Sequence, residues 1–401
     1  MSITHTKTDL SDELKFLIAC CQTEPSNDDI NFINSYLPTI TNYQSLIAAA
    51  TRHGILPLVH KTIKSLSQSN YSRSSSSTLF SKLKPLYMTI VQRNMLMTSE
   101  LLNILKLLRE NKIEALTFKG PALSQIAYGD ITLRQYSDLD ILIRKEDIYK
   151  IDTLLKDQSY QHINKLTPYQ EKIWIKHAKD IGLYHPKSGV YTEMHWRLME
   201  SHYPMQLDLD TIWDNQKTII INGKEIKTFA TEDLLLFLCI HGSKHLYERI
   251  EWIKDIDLLI RSHDIDWEEI DKKVSGSGFE TMYYLGLHLS YQLFKTELPI
   301  SVLEHISIAR KLTNVTEYIL DSWQNENTNN IKDTIQRLRI KLKLLPGFKE
   351  KIKHLHIIIL KPSYNELWFV ELPKSLYWLY YFIRPYLLLK KYFTKQDAYT
   401  Q

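Results

Sequence analysis

LTFKGPALSQIAYGDITLRQYSDLDILIR occupies Leu116–Arg144. Just before and into it, Ala115-Leu116-Thr117-Phe118 has the length and apolar content of a short buried strand, and Lys119-Gly120-Pro121 ends it. Proline suits the first turn of a helix, where a missing N–H costs nothing, so a short helix is expected over Pro121–Tyr128. Leu139–Ile143 predicts a second strand, reached through Ser137-Asp138-Leu139-Asp140. Residues two apart on a strand point the same way, so Asp138 and Asp140 present two carboxylates from one face. Mg²⁺, or Mn²⁺ in its place, suits such a pair, because hard cations take oxygen ligands from carboxylates and substrate phosphates. An isolated D-x-D is also a common solvated turn. The order around this one gives it weight: strand, glycine turn, short helix, arginine, then D-x-D on a second strand.

Outward from that segment the hydrophobic period changes. Toward the N-terminus, apolar residues from Leu14 to Glu110 recur at three- and four-residue spacing, as in helices. Leu46, Ile47, Ala50 and His53 share a face, as do Leu101, Leu102, Leu105 and Leu108. The serine-rich run Asn70–Thr78 (NYSRSSSST) reads as an exposed loop. On the other side, Ile181–His185 and Val190–Trp196 form a hairpin around Lys187-Ser188-Gly189. Thr218–Ile221 and Glu225–Phe229 form another around Asn222-Gly223, a strong two-residue turn signal. Thr231-Glu232-Asp233 is expected to cap a helix over Leu234–Leu246. Helical patterns then continue to the end. The fold class is therefore α+β: a small mixed-sheet core (residues 111–230) between a helical N-terminal lobe (1–110) and a helical C-terminal lobe (231–401).

Composition narrows the class without naming a ligand. The chain has 401 residues, a net charge of +4 and 11 glycines, which fits a helix-rich globular protein and does not mark a nucleic-acid binder. Cys20, Cys21 and Cys239 make no disulfide framework, which suits free buried thiols in a reducing cytoplasm. Met1–Leu10 is polar and lacks an apolar signal core. No stretch reaches the roughly 18–20 apolar residues of a membrane span. The nearest, Leu376–Phe393, is interrupted by Arg384, Pro385, Lys390 and Lys391.

The order of elements resembles the DNA polymerase β-like nucleotidyltransferases. More narrowly, Phe118-Lys119-Gly120, Leu123, Tyr128, Arg134 and Ser137–Ile143 resemble the bacterial family of uncharacterised nucleotidyltransferases. Glu193-Met194-His195-Trp196-Arg197, His241-Gly242-Ser243-Lys244-His245, Arg249, Trp252 and Asp255 extend the resemblance. It implies a nucleoside triphosphate as substrate, with its phosphates near Lys119, Gly120, Arg134 and Ser137. It implies a metal on Asp138, Asp140 and Glu193, these three being the catalytic residues. Lys244 and His245 would reach toward the nucleotide from the helical lobe. His195, Arg249 and Asp255 would touch the acceptor or support the site. The wider superfamily carries a Gly-Ser pair at the phosphate turn, where this chain has Lys119-Gly120-Pro121. That departure keeps open a nucleotide-binding regulatory or partner-binding module that has the fold without turnover.

Several of these residues have plainer readings. Glu193 could be a surface strand glutamate, and Arg134 could pair with Asp130 or a nearby carboxylate. His241 and His245 have the i, i+4 spacing of a zinc pair but lack the accompanying glutamate of the metalloprotease motif. Arg337–Lys361 carries eight lysines and arginines among apolar residues. That stretch suits a solvated helix face, or a surface for an acidic acceptor, RNA or anionic lipid. Leu367–Phe393 is rich in aromatics, as a core or interface would be. The acceptor itself is not identified by the sequence; a small molecule, peptide, protein or tRNA would each be consistent.

Overall fold

The computed structural model describes residues 10–68, 73–163, 166–200, 203–308, 310–325, 331–361 and 364–397. Residues 1–9, read above as polar, lie outside the described residues.

The architecture is α+β. Among the described residues, seven strands occupy the middle of the chain: β1 (Ala115–Thr117), β2 (Asp138–Ile143), β3 (Gln161–His162), β4 (Asp180–His185), β5 (Val190–His195), β6 (Lys217–Ile221) and β7 (Lys224–Thr228). Five form one mixed sheet in the order β1-β2-β5-β4-β3. β2 and β5 run parallel at its centre, and the other pairs are antiparallel. β6 and β7 form a separate hairpin. Its turn residues Asn222 and Gly223 both have positive φ, 49° and 72°, as a twisted two-residue hairpin requires. The two-residue strand β3 carries no sequence signal of its own.

Alternation along β2 divides the core. Leu139, Ile141 and Ile143 pack with Met97, Leu101, Ile104 and Leu108 of the Arg73–Glu110 helix. Leu142 turns the other way and joins Leu116, Phe118, Phe229 and Phe237. That second cluster is continuous with buried residues from both ends of the chain, including Phe16, Leu46, Ile253 and Leu320. The helices before and after the sheet therefore share one apolar core. The Thr231–Lys244 helix is buried on almost every side, its middle stretch Leu234–Ile240 being apolar all round.

Two local expectations are corrected. The serine-rich run is not a loop over its described part: the long helix begins at Arg73, Ser76 is buried, and Leu79 and Leu83 are buried one and two turns on. Serine is no strong helix breaker, and the apolar spacing that follows it prevails. Residues 70–72 lie outside the described residues. Nor do Thr231, Glu232 and Asp233 cap their helix, whose N-cap is Ala230. They anchor neighbours instead. Thr231 accepts from Lys217, Glu232 from the Asp266 amide, and Asp233 pairs with Lys273 at 2.6 Å.

The expected helix after Gly120 is a single α-turn, Gly120–Leu123, continued as a wider π-turn over Ser124–Tyr128. In the basic stretch, the Ile331–Leu344 and Phe348–Leu360 helices carry the lysines, and Arg337 pairs with Glu248. The aromatic C-terminal run is split: Tyr380 is buried while Trp378, Phe382 and Tyr386 are exposed. Cys20, Cys21 and Cys239 are buried free thiols. Among the described residues, no helix is long and apolar enough to cross a membrane.

Candidate active site

The parallel pair β2–β5 sets Asp140 opposite Glu193 and Leu142 opposite His195. While Leu139 and Ile141 face the long helix, Asp138 and Asp140 project from the other side, and Glu193 and His195 do the same beside them. Asp140, Glu193 and His195 each offer a ligand atom, and all three atoms lie within 4.8 Å of one another. His195 Nε2 stands 3.0 Å from Asp140 Oδ1 and 3.2 Å from Glu193 Oε2. Lys119 Nζ, from the turn after β1, donates to the same Asp140 oxygen at 3.2 Å. The Phe118 ring meets the His195 ring edge-on at 5.3 Å and stacks on Phe229 at 4.8 Å, so aromatic packing fixes the imidazole from behind.

Gly120 makes this turn possible. Its φ is +53°, in the region that favours glycine, and a Cβ there would lie 3.3 Å from the Asp138 carbonyl oxygen. The backbone of the turn thus approaches the D-x-D strand closely enough to set Lys119 on Asp140.

Electrostatics separate the two aspartates. Burial opposes ionisation of Asp140, but Lys119 and His195 outweigh it and hold the carboxyl well below the usual range. Glu193 is likewise opposed by burial, yet the bonds from His195 and Lys179 bring it down to about 2. Asp138 goes the other way, raised by burial and then by the negative charge of Asp140. His195 is pulled down by burial and Lys179, but its two carboxylate bonds prevail and raise it. Asp140 Oδ2 is buried and has no hydrogen-bond partner among the described residues. An orphaned carboxylate oxygen beside a second carboxylate and an imidazole is a donor set that fits a divalent cation. Cation binding would displace the proton His195 shares with the carboxylates.

Not all of the expected residues gather here. Asp138 is half-buried two residues before Asp140, and the trio able to hold a cation contains His195 where Asp138 was expected. Arg134 was expected at the phosphates. Its fork is instead occupied: Nε and Nη2 bond both oxygens of Asp255 at 2.8 and 2.9 Å, with the arginine 5 % exposed. Tyr128 donates to the same carboxylate at 2.8 Å, so Tyr128, Arg134 and Asp255 form one buried knot between the loop and the Ile250–Ser262 helix. Ser137 is exposed, its carbonyl accepting from Arg93. Arg249 is exposed over the Trp252 ring. His245 packs between His241 and Trp252, and burial followed by the charge of Lys244 lowers its pKa to about 3. Lys244 lies 3.4 Å from Glu200 and over the Tyr203 ring.

Lys179 and Asp180 were missed. Lys179 pairs with Asp180 and lies 3.4 Å from Glu193 Oε2, and Asp180 sits 3.7 Å from His195. The signal was present in the hairpin. Antiparallel pairing of His185 with Val190 carries Asp180 to His195 five residues on.

A family model described as uncharacterised nucleotidyltransferase matches residues 41–295, more than half of the chain. The crystal structure of an antigenic nucleotidyltransferase-like protein from Paracoccidioides brasiliensis is similar at 18 % identity and a TM-score of 0.31, over 52 % of this chain and 96 % of that one. No curated protein matches. On the family match, the chain belongs to the uncharacterised nucleotidyltransferases.

Proposed function

We propose that the chain transfers a nucleoside monophosphate group from a nucleoside triphosphate to an acceptor nucleophile, with Mg²⁺ or Mn²⁺ held by Asp140, Glu193 and His195 and Asp138 alongside. When bound, the cation would neutralise charge on the phosphates and the leaving pyrophosphate. Lys119 and the Gly120 backbone would take the triphosphate, with Ser137 at the rim and Lys244 and His245 on the far side. The acceptor forms a bond to the α-phosphorus, the α–β bridging bond breaks, and pyrophosphate leaves. The acceptor's proton passes to a carboxylate of the cluster. Arg134 and Asp255 brace the loop that carries the D-x-D strand. The cytoplasm suits the three free thiols.

The observation that carries this reading is the unpartnered Asp140 Oδ2 beside Glu193 and His195. Its test is incubation with each α-labelled triphosphate, with and without Mg²⁺, using wild type and Asp140→Asn against lysate, tRNA and small-molecule acceptors. Metal-dependent transfer by wild type alone supports the proposal. Absence of both transfer and metal-dependent nucleotide binding would remove it.

One observation favours a second reading. Lys119 already neutralises Asp140 at 3.2 Å, as a cation would. A nucleotide-binding module without turnover would use that lysine in place of the metal, and would bind nucleotide equally well in EDTA.

A further inference from the structure

A cavity of about 410 Å³ adjoins the cluster, within the usual range for small-molecule sites. Lys179 and Asp180 form part of its wall, and Lys179 also reaches Glu193. Further wall comes from the C-terminal helices: Leu344, Ile357, Leu367, Tyr377 and Tyr381. Residues nearly two hundred positions apart in sequence thus close one space beside the proposed chemistry.

The lining has two characters. Trp174, Ile357, Leu367, Tyr377 and Tyr381 supply apolar and aromatic surface. Lys179, Lys244, Lys341 and Lys361 supply positive charge. The first two lysines are answered by Asp180 and Glu200. Lys341 and Lys361 have no carboxylate at ion-pair distance among the described residues. Lys361 instead meets His177 at 3.3 Å, itself a poor counter-charge. Burial, then Arg337, lowers the pKa of Lys341 to about 8, and burial, then Arg197, lowers that of Lys361. Two half-buried ammonium groups with no carboxylate at ion-pair distance among the described residues, Lys341 feeling Glu248 and Glu200 only from further off, are costly until an anion joins them.

We propose that this cavity is the acceptor site, and that the acceptor is an amphiphilic anion: an apolar or aromatic body bearing a phosphate or similar anionic group that Lys341 and Lys361 engage. This rests on the nucleotidyl-transfer reading of the neighbouring cluster. The triphosphate sits beside this cavity and not inside it: neither Lys119 nor Gly120 lines the cavity, and Lys244, on its wall, stands at the edge the two sites share. The Lys179 edge is where the acceptor's nucleophile meets the cluster.

The test is calorimetric titration with octyl phosphate below its micellar concentration, against inorganic phosphate and octyl glucoside. The proteins are wild type, Asp140→Asn, and Lys341→Met/Lys361→Met, with Lys361→Met alone in reserve should the double variant not fold. Octyl phosphate should bind wild type and D140N alike, bind the lysine double variant about 10-fold or more weakly, and exceed both controls. Magnesium–ATP binding should fall in D140N and stay unchanged in the lysine variants. Equal binding of octyl glucoside, undiminished binding to the lysine variants, or displacement of octyl phosphate by ATP would each overturn the acceptor assignment. Should the wild type itself show no magnesium-dependent ATP binding, the transfer reading fails, and with it the acceptor role. The anion site would then stand as a binding site only.

Discussion

Asp140 concentrates the chemistry, because among the described residues it alone touches both Lys119 and His195 and keeps an unpartnered oxygen. Asp140→Asn should reduce metal-dependent nucleotide binding or transfer by about 100-fold or more, measured by titration with and without Mg²⁺. A second residue-scale prediction concerns Glu251, which accepts from the Gln135 amide at 2.8 Å. Burial raises its pKa from 4.5 to about 8, against the pull of Arg134. The folded chain therefore holds this proton more tightly than the unfolded chain. Its contribution to stability is full below about pH 4.5 and is lost as the pH rises to about 8. Glu251→Gln should remove that part of the pH dependence, seen as a flatter melting temperature across the interval. At this scale the sequence was legible where a period constrained it: two residues apart on a strand meant one face for Asp138 and Asp140. Lys179 and Asp180 belong to no motif, and only pairing across the hairpin reveals them.

The glycine turn shows how an element serves the site. Gly120→Ala places a side chain at a φ of +53° and against the Asp138 carbonyl. It should destabilise the fold by about 1–3 kcal/mol in urea unfolding. It should weaken nucleotide binding further than that loss explains, because Lys119 would move off Asp140. Elements with strong local signals were readable: the Asn222-Gly223 hairpin, the apolar β2 strand, the β4–β5 pair. The serine run misled because local composition spoke for a loop while Leu79 and Leu83, buried further along, held it in a helix. Thr231, Glu232 and Asp233 misled for a similar reason. Residues of capping type were used for contacts with Lys217, Asp266 and Lys273, partners far away in sequence.

For the whole molecule, the buried Arg134–Asp255 pair ties the sheet's loop to the helices that follow it. Arg134→Met leaves the Asp255 charge buried and should cost about 3–5 kcal/mol, by denaturant unfolding. Arg134→Met/Asp255→Leu should cost less than the two single changes together. Where Arg134→Met remains folded it should still bind magnesium–ATP as wild type does, since its fork serves Asp255. A selective loss of that binding would return Arg134 to the phosphates. No periodicity could have shown this tie, because it joins residues 121 positions apart. A neighbouring bond between the same loop and helix, from the Gln135 amide to Glu251, has a consequence for hydrogen exchange. The Gln135 amide lies in a surface connection, yet its acceptor is a buried side chain on the Ile250–Ser262 helix. Its proton can exchange only when that helix lets go. Gln135 should therefore exchange with deuterium on the slow timescale of the core, although the residue is only half-buried.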